Sequence, residues 1–174
     1  VSQYPALTAG PLSVATLQSM VPDVTLKAST TDRVSTTTLA NDLDLVAIPL
    51  GVGTWSVEMG IFVATATTNT QDFKTQWSFT GTWSTPIRFC LGPGPTNTAL
   101  RDAITPMQLN GIPSNSDAVY GLGASTGFTL VLEWCKSVVV TAAGTLALQW
   151  AQNASSANST SVKQGSYVEI RQVA

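Results

Sequence analysis

The chain has 174 residues, of which 44% are hydrophobic and only 10% charged, with a net charge of −2 and no histidine. That length suits one domain, and abundant Val, Thr, Ile and Trp argue against disorder, which pairs high charge with little apolar content. Scattered Lys and Arg form no basic stripe to displace counterions from phosphate, so no nucleic-acid partner is expected.

The N-terminal VSQYPALTAG has neither the basic n-region nor the apolar h-region of a signal peptide. LTAGPLSVATLQSMVPD carries the clearest helix pattern. Ser13 can cap it, Val14, Leu17, Met20 and Val21 share one face, and Pro22 stops it. Two turns cannot stand alone in water, so this helix must dock on something. Residues 1–27 therefore read as a docking arm, with a domain over 28–174. Its apolar anchors are Tyr4, Leu7, Leu12, Leu17, Met20 and Val21. Burying six such side chains would contribute on the order of 10 kcal/mol before ordering costs.

After the arm the apolar period becomes two. LDLVAIPL suggests a strand, and in GTWSVEMGIFVATA the residues Trp55, Val57, Met59, Ile61 and Val63 share a face. FKTQWSF places Phe73, Thr75, Trp77 and Phe79 together, and PIRFCLG is halted by the turn-rich GPGPTN. GFTLVLEWCKSVVVT sets Phe128, Leu130, Leu132 and Trp134 against Thr129, Val131, Glu133 and Cys135. TLALQW aligns Leu146, Leu148 and Trp150, and YVEIRQV aligns Val168 and Ile170. The Pro-, Asn- and Ser-rich segment 99–120 reads as a long connection, and QNASSANSTSVKQGS as the exposed loop of a C-terminal hairpin. The expected class is all-β: an antiparallel β-sandwich or jelly-roll-like domain behind an arm with one short helix. FTLVLEWCKSVVV, the longest apolar run, is broken by Glu133 and Lys136, short of the roughly 20 residues of a membrane helix. A soluble protein with no membrane partner is expected.

Without histidine there is no Ser–His–Asp or Cys–His pair and no HExxH zinc site. Carboxylate pairs remain: Asp42 with Asp44, or Glu58 with Glu133. NDLDL offers too few oxygens for calcium, and its Asp residues are expected to make a turn. Glu58 and Glu133 are expected to face solvent or a subunit contact. GLGASTG lacks the lysine of a phosphate loop. Asn153 and Asn158 head glycosylation-type triplets without a secretory signal. Cys90 and Cys135 fall inside strand patterns and are expected to be buried free thiols. Trp55, Trp77, Trp134 and Trp150 are expected in the core, leaving Trp83 as the exposed candidate for ligand contact. No catalytic residue, cofactor or metal is expected, and the chain reads as a scaffold rather than an enzyme.

STTTLANDLDLVAIPL, the TWSVEMGIFV strand and the closing LALQWAQNASSANSTSVKQGSYVEIRQV resemble small accessory virion proteins of long-tailed phages that infect actinobacteria. The likeness covers most of the chain, while Cys90, Cys135 and GPGP depart from the family pattern. It implies a β-sandwich assembling as a homotrimer on the particle. The function expected is a capsid decoration (minor capsid) protein, made in the bacterial cytoplasm and bound to the major capsid protein on the outer head surface. The alternative is a tail-fibre or baseplate module that recognises host glycans.

Overall fold

The computed structural model describes residues 21–65, 72–94, 107–122 and 128–173. They are all-β, with two antiparallel sheets. The first contains β1 (Asp23–Leu26), β2 (Thr31–Arg33), β5 (Gly53–Thr65), β7 (Thr82–Trp83), β8 (Ile87–Pro93), β9 (Met107–Pro113), β11 (Thr129–Ala142), β13 (Thr160–Val162) and β14 (Tyr167–Gln172). Its main path runs β1–β14–β5–β11–β8–β9, with β13 bridging β2 to β5 and β7 paired to β11. The second contains β3 (Ala40–Asn41), β4 (Ile48–Leu50), β6 (Phe73–Phe79), β10 (Ala118–Tyr120) and β12 (Gly144–Gln152). Its path is β10–β6–β12–β3, with β4 also on β12.

The two-residue period decides which side chains meet. Val57, Met59, Ile61 and Val63 of β5, Val131 and Cys135 of β11, and Val168 and Ile170 of β14 are buried from the first sheet. Phe73, Trp77, Leu146, Leu148 and Trp150 are buried from the second, and all join one apolar cluster. Between Cys135 and Val138 the register of β11 against β5 slips by one residue. That bulge restores the inward aim, so Val138 and Val140 are buried although they break the earlier alternation. On the outer side, a Cβ at Gly60 would lie 2.2 Å from the ring of Tyr167, so the cross-strand aromatic lies flat on bare backbone.

Several expectations change. In β11 the inward side chains are Val131, Glu133 and Cys135, while Leu130, Leu132 and Trp134 point outward. Both faces of that strand are apolar, so alternation alone could not choose between them. Segment 99–120 is more than a connection, since it contains β9 and β10. Strands β12 and β14 do not form a hairpin: they belong to different sheets. The chain between them crosses over and contributes β13, where Thr160, Ser161 and Val162 are buried. Residues 23–27, read as part of the arm, include β1, which pairs with β14. The expected helix and Tyr4, Leu7, Leu12, Leu17 and Met20 lie outside the described residues.

Asp72 opens β6 with a left-handed φ of 42°. Burial, opposed by the Leu122 N–H, pushes its carboxyl from 3.8 up to about 6. Between those values the folded chain keeps a proton that the unfolded chain releases, so this group makes stability fall as pH rises through about 6. Urea midpoints measured across this window should show that slope in the parent and lose it in Asp72→Asn. Asparagine tolerates the left-handed φ, so the backbone is kept.

Candidate functional site

Two buried polar clusters stitch distant segments together. Glu133 and Arg88 are both 0% exposed. Glu133 Oε2 accepts from Arg88 Nη1 at 2.5 Å and from Trp77 Nε1 at 2.7 Å. Its Oε1 accepts from the Tyr120 hydroxyl at 2.7 Å and from the Thr75 hydroxyl. Arg88 Nη2 donates to the carbonyls of Thr75, at 2.8 Å, and Ser116, at 2.6 Å. The cluster thus ties β8 and β11 of one sheet to β6 and β10 of the other. Glu133, expected at the surface, is inside because a guanidinium and three further donors replace its water. Burial first, and the Glu133 carboxylate second, push the Tyr120 hydroxyl above its ordinary range and the Cys90 thiol up to about 11. Little reactive thiolate exists at neutral pH at such a thiol. Cys90 and Cys135 are both free and buried, as expected.

The second cluster centres on Asp42, which is buried with Lys27. Lys27 Nζ donates to the two Asp42 oxygens at 2.8 and 2.9 Å and to Thr31 Oγ1 at 2.9 Å, and lies 3.3 Å from Asp44. Asp42 also accepts from the N–H groups of Asp44 and Leu45 and from Trp150 Nε1. The expected turn is therefore present, with an ammonium paired to its carboxylates. Arg33 stacks its guanidinium 4.0 Å from the centre of the Trp150 ring. The Glu133–Arg88 and Asp42–Lys27 pairs are shut off from solvent, while Asp44 is partly open to it.

The outer face of the first sheet has a different character. Antiparallel strands usually show water a polar face. Here Ile87, Phe89, Leu109, Phe128 and Leu130 are exposed, Leu109 at 59% and Phe128 at 64%. Cross-strand register makes them neighbours. Leu132 is opposite Leu91, which is opposite Leu109, while Leu130 is opposite Phe62. Trp134 is opposite Phe89, their rings stacked at 5.9 Å and 22°. Phe62 meets Phe128 edge-on at 5.8 Å. The charged groups cluster to one side, where Lys136 pairs with Glu58 at 3.0 Å and β14 carries Glu169 and Arg171.

Of the predicted contact residues, Val21 is described and is 64% exposed. Trp83 is half-buried and stacks on Phe79 at 4.8 Å and 23°, packed against the core. Trp77 and Trp150 are in the core, Trp55 packs at its margin, and Trp134 lies on the outer face, contrary to expectation. The outer face went unread in the sequence, although a strand apolar on both sides was its signal. Among the described residues no helix is long and apolar enough to cross a membrane, and no group of three or more acidic or cysteine side chains could hold a metal ion. No protein-family model, no curated protein and no solved structure matches the chain.

Proposed function

We propose that this chain is a bacteriophage structural protein that decorates the capsid. On this reading the two sheets form a β-sandwich of jelly-roll type, assembled as a trimer. Residues 1–22 grip the major capsid protein, and the domain braces neighbouring capsomers on the outer head surface. The observation that carries the reading is the outer face of the first sheet, where exposed apolar side chains on and beside β11, β8 and β9 lie next to the half-buried Phe62 of β5. Contiguous apolar area of this kind marks contact with other macromolecules. The buried charges support it, because Glu133, Arg88, Asp42 and Lys27 are spent on rigidity.

The rival reading is a tail-fibre or baseplate module for host glycans. The Phe89–Trp134 pair, stacked at 22°, favours it, as aromatic rings suit sugar faces. The surrounding Leu and Ile side chains weigh against it, because they offer sugar hydroxyls no hydrogen-bond partners. Counting copies in purified particles separates the two. Decoration predicts many copies per particle, present on heads that lack tails and lost when residues 1–22 are deleted. A scarce protein confined to tails would overturn the proposal in favour of the rival.

A further inference from the structure

We infer that the outer apolar face on β5, β11, β8 and β9 is the seat of a second copy of this chain, packed face to face about a two-fold axis. The inference deepens the surface-binding reading above and rests on the same face. Three observations are compatible with a second copy, and the balance of charge is the one that favours it.

The first is area. The exposed parts of Ile87, Phe89, Leu109, Phe128 and Leu130, with the fringes of Phe62, Leu91, Leu132 and Trp134, present on the order of 600 Å² of apolar surface. Two such faces would bury on the order of 1,200 Å² together, the lower end of the range for specific interfaces. The second is charge. The Leu130–Phe62 and Leu132–Leu91–Leu109 rows hold no charged side chain, and the Phe89–Trp134 row meets Glu58 at its β5 end. The charged margin holds Glu58 and Glu169 against Lys136 and Arg171, two of each sign, with Lys136 and Glu58 already paired at 3.0 Å. Two identical faces can therefore be apposed without unbalanced repulsion. The third is shape. The face is sheet surface built from paired strands, and Gly60 lets Tyr167 lie flat beside it. Two sheets pack at about 10 Å with side chains interdigitated, and Phe89, Leu109 and Leu130 are the exposed side chains that would interdigitate.

Identical patches that contact each other imply two-fold symmetry. If copies also form the proposed trimer through another surface, the contact joins two trimers. The readout is therefore a halving of mass in either case. Light scattering after size-exclusion chromatography, on the full chain at micromolar concentration, compares the parent with Leu109→Glu and Phe89→Glu. Both substitutions place charge on the outer face and leave the core intact. The parent is expected at twice the mass of each variant, with far-ultraviolet circular dichroism unchanged. Should Phe89→Glu lose its fold, Leu109→Glu on the edge strand decides alone. Equal masses for the parent and Leu109→Glu would overturn the inference. Equal masses together with loss of head binding in Leu109→Glu would give the face to the capsid lattice, and also overturn it. Halved mass in a protein that never binds heads would instead sink the decoration reading and leave the self-contact standing.

Discussion

Glu133→Ala is expected to destabilise the fold by about 3–5 kcal/mol, the usual cost of stranding one partner of a buried ion pair. The substitution leaves the Arg88 guanidinium at 0% exposure with only carbonyl and hydroxyl acceptors. It also removes the acceptor of the Trp77 N–H and the Tyr120 hydroxyl. Each stranded donor costs about 1–3 kcal/mol. For a chain of this size, a melting temperature lower by roughly 10 °C should follow. Adding Arg88→Met to Glu133→Ala removes the stranded charge, and with it a guanidinium whose Nε finds no partner among the described residues. The double variant should therefore lose clearly less stability than the two single losses added together. Strict additivity in thermal melts would show that the two groups do not sense each other.

Asp42→Ala should rank close behind, again at about 3–5 kcal/mol. It leaves Lys27 with only the Asp44 carboxylate, at 3.3 Å, and Thr31 Oγ1, and frees three N–H donors at once, from Asp44, Leu45 and Trp150. Lys27→Met asks the converse question. Asp42 would keep those three donors, and methionine brings no charge into the cavity. Its urea midpoint should therefore fall less than that of Asp42→Ala. The reverse order would mean that the ammonium, rather than the carboxylate, is the hub of this cluster.

How much was readable depended on contrast between the two sides of each strand. In β5, β6 and β12 one side is apolar and the other, Phe62 apart, mostly polar or small, so the pattern puts Val57, Met59, Ile61, Trp77, Leu146, Leu148 and Trp150 inside, where they are. In β11 both sides are apolar and a single Glu interrupts one of them. Polarity sends that Glu outward, and only its distant partners Arg88, Thr75, Trp77 and Tyr120 explain why it turns in. The polarity of Glu133 also hides the outer face, since sending it outward assigns Leu130, Leu132 and Trp134 to the core. Asp42 was read as a turn residue, which it is. Its pairing with Lys27, fifteen residues earlier, leaves no local mark. Strands of two or three residues, such as β10 and β13, are too short for a period to register, and tertiary pairing alone defines them.

The central position of β5 has a consequence for synthesis. Its neighbours β11, β13 and β14 all come from residue 129 onward. When β5 leaves the ribosome its ladder has no mate, and roughly a hundred more residues must be translated before β14 arrives. At about 5–20 residues per second the nascent chain carries β5 without its β14 neighbour for some 5–20 s. Closure of the first sheet is thus a late event, and the interval before it is the window in which chaperones would guard this polypeptide.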